Sequence, residues 1–108
     1  MTIGKVADAS EVSPSKMKKV SVEGEEILLA NVGGTCYAIG NKCTHMGGDL
    51  SKGTLSGNLV KCPRHGAVFD VTTGRTVLGP KMLGITVEAR DEPTFGVRVE
   101  KGSVYLDL

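Results

Sequence analysis

Two cysteines and two histidines stand close together in the sequence, as Cys-Thr-His at 43–45 and Cys-Pro-Arg-His at 62–65. They include both histidines of the chain and two of its three cysteines. Thiolates and imidazoles are the side chains that most often bind zinc and iron–sulfur clusters in proteins. The spacing therefore predicts one metal centre held from two loops by Cys43, His45, Cys62 and His65.

The ligand set fits two kinds of metal centre. A [2Fe–2S] cluster with two histidines on one iron and two cysteines on the other uses these four ligands. Structural zinc also accepts two cysteines and two histidines, but it usually pairs them as Cys-x₂₋₄-Cys and His-x₃₋₅-His, and Cys-x-His is too tight for that pattern. We therefore predict one [2Fe–2S] cluster, with the cysteines on a buried iron and the histidines on an outer one, and keep a zinc-stabilised binding module as an alternative.

The chemistry expected of such a cluster is one-electron transfer. Replacing two thiolates by neutral imidazoles makes the oxidised cluster less negative, so the reduction potential rises to roughly −150 to +300 mV from about −400 mV for plant-type ferredoxins. The sequence has no Gly-x-Ser-x-Gly elbow, Walker loop or dinucleotide fingerprint. We therefore expect an electron carrier that is not itself an enzyme and has no catalytic residues.

Composition excludes several classes of partner. Thirteen basic and twelve acidic residues give a formal charge of +1, which offers no electrostatic reason to bind nucleic acid or an anionic membrane. No apolar run reaches the length of a membrane span, and residues 1–12 lack the apolar core of a secretory signal. An odd number of cysteines, two of them beside histidines, favours metal ligation in a reducing compartment. We expect a cytoplasmic protein without a nucleic-acid or membrane partner.

The elements that must position the ligands are short β-strands separated by glycines, of which the chain has fifteen. Strands are predicted at 2–7, 17–22, 26–32, 35–39, 59–61, 68–71, 85–90, 97–100 and 103–108. Gly33-Gly34 and Lys101-Gly102 are typical of two-residue hairpin turns. Residues 12–19 are expected to form a turn or a single helical turn, and 41–57 a long loop with the first ligand pair.

These strands predict an all-β fold, an antiparallel sandwich or barrel. We expect one domain over residues 1–108, in which strands from both ends of the chain form the base. A smaller cluster-binding lobe, about 40–69, is inserted between them. Cys36 is expected to fill core space on its strand, facing the same way as Ala38, and Met46, Leu50 and the Gly79-Pro80 turn to cover the cluster.

The segments CTHMGGDLSKG, CPRHGAVFD and TGRTVLGP follow one another as the two ligand loops, the next strand and the proline loop of the Rieske family do. The resemblance spans nearly the whole chain and is greatest to the small Rieske-type ferredoxins of aromatic-ring-hydroxylating dioxygenase systems. It implies the Rieske fold, a flavoprotein or other reductase as electron donor, and a terminal oxygenase as acceptor. A small Rieske subunit of a larger oxidoreductase, such as a nitrite-reductase-like complex, is the alternative.

The sequence departs from the Rieske proteins of respiratory complexes at four positions. Where those proteins have a disulfide between the ligand loops, this chain has Gly48 and Arg64, and where they have hydroxyl donors it has Ala67 and Phe69. A hydrogen bond to a charged acceptor contributes about 1.5–3 kcal/mol, so the missing donors predict a low potential within the family.

Basic residues accompany the ligands. Arg64 is expected near the cluster surface, where it either contacts a carboxylate of a redox partner or is simply solvated. Four lysines could extend such a docking patch: Lys42, Lys52, Lys61 and Lys81.

Overall fold

The computed structural model of the chain describes residues 2–44, 47–64, 66–79, 81–82, 85–86 and 90–107. In these ranges the regular elements are nearly all strands. They are β1 (Thr2–Asp8), β2 (Met17–Val22), β3 (Glu25–Val32), β4 (Thr35–Gly40), β5 (Thr54–Ser56), β6 (Leu59–Lys61), β7 (Val68–Asp70), β8 (Thr76–Leu78), β9 (Lys81–Met82), β10 (Ile85–Thr86), β11 (Thr94–Glu100) and β12 (Ser103–Asp107). Two single 3₁₀ turns, Ala9–Glu11 and Leu50–Lys52, complete the described elements. The all-β prediction is confirmed.

A six-stranded antiparallel sheet forms the base of the molecule, in the order β1-β12-β11-β4-β3-β2. Its edge strands β1 and β2 contact each other, so the sheet curls into a nearly closed barrel. Strands from both ends of the chain are neighbours in it, as expected. Both predicted hairpins are confirmed, because Val32 pairs with Thr35 across Gly33-Gly34 and Glu100 pairs with Ser103 across Lys101-Gly102.

A second antiparallel sheet, β5-β6-β7-β8, carries the loop that contains Cys62. The long loop predicted over 41–57 ends earlier than expected, because the 3₁₀ turn Leu50–Lys52 and strand β5 lie within that range. Strand β8 was also not predicted, and it extends the small sheet to Leu78. Both strands are three residues long, too short for a periodic pattern, and pairing with β6 and β7 defines them.

Other boundaries differ locally from the prediction. Of the segment predicted at 12–19, residues 13–16 form a turn closed by a hydrogen bond from Lys16 N to Ser13 O (3.0 Å), and β2 begins at Met17. Of the strand predicted at 85–90, residues 85–86 belong to β10 and Arg90 lies outside any strand, while 87–89 are outside the described residues. No helix in the described part of the chain is long and apolar enough to span a membrane.

Strand β3 separates two hydrophobic cores. Ile27 and Leu29 pack inside the barrel with residues such as Leu106, whereas Leu28 and Ala30 face the small sheet and both ligand loops. The run from Ile27 to Ala30 is fully buried, because a strand covered on both faces needs apolar side chains at every position. The ligand loops therefore rest on a rigid, doubly covered strand.

Candidate metal centre

The two predicted cysteine ligands are buried beside the same core. Cys43 follows β4 and Cys62 follows β6, and their exposed fractions are 4% and 2%. Both pack in the cluster that contains Leu28 on β3. The other two expected ligands, His45 and His65, lie outside the described residues. The structure thus brings together the cysteine half of the expected ligand set.

The two ligand loops close with the same pattern of backbone hydrogen bonds. In the first loop Cys43 N donates to Gly48 O (2.7 Å) and Gly47 N donates to Cys43 O (2.9 Å). In the second, Cys62 N donates to Ala67 O (2.7 Å) and Gly66 N donates to Cys62 O (3.2 Å). Gly47 and Gly66 have φ values of 68° and 77°, which favour glycine at the equivalent point of each loop. Each cysteine is therefore presented by the same tight turn.

Gly48 lies between the two cysteines. A Cβ atom added to Gly48 would be 2.7 Å from the Cys62 sulfur, 3.3 Å from Arg64 Cβ and 3.7 Å from Cys43 Cβ. Any side chain here would overlap the space next to the ligand sulfur. The close approach to Arg64 Cβ also shows that Gly48 and Arg64, the positions where the resemblance implies cysteines in the respiratory proteins, are adjacent in this fold.

These features fit a [2Fe–2S] cluster bound between the loops. Two soft thiol ligands, both buried, are held by matched turns, and the residue between them has no side chain to obstruct the space. Thiolates of this kind are the protein ligands of iron–sulfur clusters. Ala67 and Phe69 are fully buried in the same core, so the polypeptide surroundings of the cysteines are apolar.

Glu92 anchors the first ligand loop from the far end of the chain. Its Oε2 accepts a hydrogen bond from Thr44 N (3.0 Å), and Thr44 Oγ1 donates to Arg90 O (2.6 Å). The side chain of Glu92 is only 5% exposed. Burial, partly opposed by the hydrogen bond from Thr44 N, raises the pKa of Glu92 to about 7. The backbone N–H next to Cys43 thus depends on a buried carboxyl group.

The segment around Glu92 also ties the two sheets together. Glu92 N donates to Gly74 O (2.7 Å) in the turn between β7 and β8, and Gly40 N at the end of β4 donates to Pro93 O (2.9 Å). Thr76 on β8 donates through Oγ1 to Arg90 O (3.0 Å). Residues 90–93 therefore act as a clamp between the barrel, the small sheet and the first ligand loop.

Asn41 and Asp49 hold the other side of the first loop. Fully buried Asn41 donates from Nδ2 to Asp49 Oδ1 (2.8 Å), and its Oδ1 accepts from Ser51 N (3.0 Å). Partial burial acts to raise the pKa of Asp49, but hydrogen bonds from Ser51 and Asn41 and the charge of Lys19 outweigh it, and the pKa falls to about 2. The ionised carboxylate of Asp49 thereby closes the loop at neutral pH.

The remaining expectations have mixed outcomes. Leu50 is fully buried in the core on which both cysteines rest, whereas Met46 and Pro80 of the expected cover lie outside the described residues. Cys36 is half-buried in the other core together with Ala38, as expected of a core-filling residue, and burial raises the pKa of its thiol.

Sequence reasoning missed the structural roles of Asn41, Thr44 and Glu92. The Asp49-Leu50-Ser51 stretch does have a local signature, because an aspartate that accepts from the N–H two residues later caps a turn. Glu92 has none, since its partner Thr44 is 48 positions away in sequence.

Known proteins resemble the chain over nearly its whole length. The family model described as Rieske [2Fe-2S] domain matches residues 2–93. The ferredoxin component of the naphthalene 1,2-dioxygenase system of Pseudomonas aeruginosa is 37% identical over 98 residues, which are 91% of this chain and 88% of that protein.

Two solved structures have a similar fold. The ferredoxin of carbazole 1,9a-dioxygenase from Nocardioides aromaticivorans IC177 superposes with a TM-score of 0.80 at 25% identity, over 99% of this chain and 97% of that one. A chain from a complex of reduced oxygenase and oxidised ferredoxin in carbazole 1,9a-dioxygenase superposes with a TM-score of 0.78 at 34% identity, over 98% of this chain and 92% of that one. The ligand loops, the two sheets and these likenesses together show that the chain belongs to the Rieske [2Fe–2S] domain family.

Proposed function

We propose that the chain is a Rieske ferredoxin that carries single electrons from a reductase to the terminal oxygenase of a dioxygenase system. The observation that supports this most is the match to ferredoxin components over nearly their full length, since this chain covers 88% of the naphthalene dioxygenase ferredoxin. Such a carrier is one component of an oxidoreductase system and is not itself a catalyst. The same full-length match favours a separate carrier over a subunit built into a larger enzyme.

One [2Fe–2S] cluster is held by Cys43, His45, Cys62 and His65 in this proposal. When bound, the cluster supplies a site that accepts and releases one electron. The polypeptide keeps the two cysteines in matched turns and excludes water from them with the apolar core below. The clamp at 90–93 fixes the backbone of the first ligand loop.

We further propose that residues 1–108 form one domain and that the protein works in the cytoplasm. Pairing of β1 with β12 joins the two ends of the described chain, and β3 is shared by both cores, which supports a single folding unit. A single cooperative unfolding transition of the purified protein tests this, and cell fractionation tests the location.

The cluster assignment is tested by metal analysis and spectroscopy. Purified protein should contain two irons and two sulfides per chain, absorb visible light and give a rhombic EPR signal on reduction. Cys62→Ser should abolish these signals. Cys36→Ser is the matched control and should retain them. A colourless, EPR-silent protein with one zinc per chain would instead support the zinc-binding alternative.

The carrier function is tested by reconstitution. A reductase and a terminal oxygenase from the same organism are purified, and product formation is followed with and without the ferredoxin. Product should form only when all three proteins are present. Equal turnover without this chain, or its stable co-purification as a subunit of a large enzyme, would contradict the proposal.

A further inference from the structure

Positive charge is concentrated in the part of the chain that contains the ligand loops. Between residues 41 and 67 there are four basic residues and one acidic residue, a formal charge of +3 in a chain whose total is +1. The rest of the chain is therefore net acidic. The basic residues are Lys42, Lys52, Lys61 and Arg64.

These four cations lie at the surface. All four are exposed, and Lys42, Lys52 and Lys61 form no ion pair with any residue in the described ranges. The one acidic residue of the segment, Asp49, lies 3.5 Å from Lys19 Nζ and accepts from Asn41. The charges of Lys52 and Lys61 are thus available to a partner, whereas Lys42 shares a surface depression with Glu25, Glu26 and Glu92. Lys81, the fifth basic residue of the expected patch, is outside the described side chains.

A surface depression of about 350 Å³ lies between the two ligand loops, in the middle of this charge. Its lining residues include Lys52, Arg64 and Gly48, and also Asp49, whose carboxylate accepts from Asn41 and lies 3.5 Å from Lys19 Nζ. The Cβ position of Gly48 is 2.7 Å from the Cys62 sulfur. Because Gly48 has no side chain, a group seated in the depression would approach a proposed cluster ligand closely.

Lys61 extends the basic surface to the second ligand loop. The Cβ position of Gly66 in that loop is 3.5 Å from Lys61 Cε, so the lysine stem lies along the loop. Cations therefore flank both ligand loops.

We propose that this depression is the docking site for the terminal oxygenase and that an aspartate or glutamate of the oxygenase enters between Lys52 and Arg64. The inference rests on the proposed function. An acidic partner fits because arginine and lysine bind carboxylates, and opposite potentials speed encounter and set orientation. The oxygenase is the partner chosen because a 34% identical ferredoxin forms a complex with its oxygenase.

The test uses the charge-reversal variant Lys52→Glu and the matched control Lys101→Glu. Lys101 is also exposed, but it lies in the β11–β12 turn, at the opposite end of β11 from the clamp. Both variants should keep the wild-type absorption and EPR spectra. Stopped-flow mixing of reduced ferredoxin with the terminal oxygenase used in the reconstitution gives the second-order rate constant at several salt concentrations, and calorimetry gives the dissociation constant.

At low salt, Lys52→Glu should lower the rate constant about tenfold and weaken binding by a similar factor, whereas Lys101→Glu should change either by less than about twofold. The wild-type rate should fall as salt rises, because salt screens exposed charges.

Equal rates for the two variants, or a wild-type rate that does not change with salt, would overturn the docking proposal and leave the carrier function intact. Slowing by Lys52→Glu of the reaction with the reductase alone would also overturn it, since the face would then serve the donor. If wild-type protein delivers no electron to the oxygenase, the proposed function fails and this inference fails with it.

Discussion

Replacing Glu92 by glutamine should make the protein more stable at neutral and alkaline pH and leave its stability unchanged in acid. Glu92→Gln keeps a carbonyl oxygen that can accept the hydrogen bond from Thr44 N, and it removes the charge from a side chain that is 5% exposed. The variant therefore mimics the protonated form of the buried acid at every pH.

The sign follows from the pKa. Burial raises the pKa of Glu92 from 4.5 to about 7 in the folded protein, so the folded state holds its proton more tightly than the unfolded chain does. The stability that this protonation contributes is complete below pH 4.5 and is lost as the pH rises through about 7. Above pH 7 the wild-type protein must bury a charged carboxylate, and the glutamine variant does not.

The magnitude comes from the size of the shift. At 1.36 kcal/mol per unit, a shift from 4.5 to about 7 corresponds to at most about 3 kcal/mol. A surface cavity of about 320 Å³ lined by Glu92 and Thr44 admits water, which screens the charge, so we expect about 2 kcal/mol. For a chain of this size that is roughly 10 °C in the unfolding midpoint.

The assay is thermal unfolding of the cluster-loaded protein at one scan rate, followed by circular dichroism and visible absorption between pH 4.5 and 8.5. Glu23→Gln, at an exposed position in the turn between β2 and β3 and outside the cavity that Glu92 lines, is the control, and its effect should be small at every pH. A difference between Glu92→Gln and wild type that is constant across this range would refute the reasoning. So would a variant less stable than wild type at pH 8.

Three further outcomes are expected. Gly48→Ala should lower the cluster content and reduce the free energy of unfolding by about 1–3 kcal/mol, because the added Cβ would be 2.7 Å from the Cys62 sulfur. Gly4→Ala, with open space around it, is the control and should match wild type in iron analysis. Full iron content in Gly48→Ala would contradict the geometry. Cys36→Ser should retain the wild-type EPR spectrum, and loss of the spectrum would show that the ligand assignment is incorrect. Phe69→Tyr should raise the reduction potential by tens of millivolts in voltammetry, since it adds a hydroxyl donor in the core beside the cysteines, and an unchanged or lower potential would count against that donor.

The parts of the fold with strong local patterns could be predicted from the sequence. Strands β2 and β6 begin and end where the β-type runs do, and the hairpin at Gly33-Gly34 follows from its two glycines. The strands that were missed, β5, β8 and β9, have only two or three residues each. Their identity depends on pairing with neighbouring strands, which a local pattern does not contain.

The candidate site likewise has a part that the sequence predicts and a part that it does not. Spacing alone singled out Cys43 and Cys62, and the structure buries both beside one core; the roles of His45 and His65 stay predictions. The hydrogen bond that Glu92 accepts from Thr44 N in the first ligand loop was not predictable, because the two residues are far apart in sequence and no local pattern around Glu92 indicates the contact. A charged residue before a proline would ordinarily be placed in an exposed turn.

The clamp at 90–93 also bears on the order in which the protein is built. During synthesis, Thr44 leaves the ribosome 48 residues before Glu92, the residue that holds its N–H. The N–H of Gly40 likewise has its hydrogen-bond acceptor, Pro93 O, only after residue 93 has been made. Contacts so distant in sequence form late, after the loop-closure entropy has been overcome. The first ligand loop therefore acquires its final backbone shape only once residues 90–93 have been made.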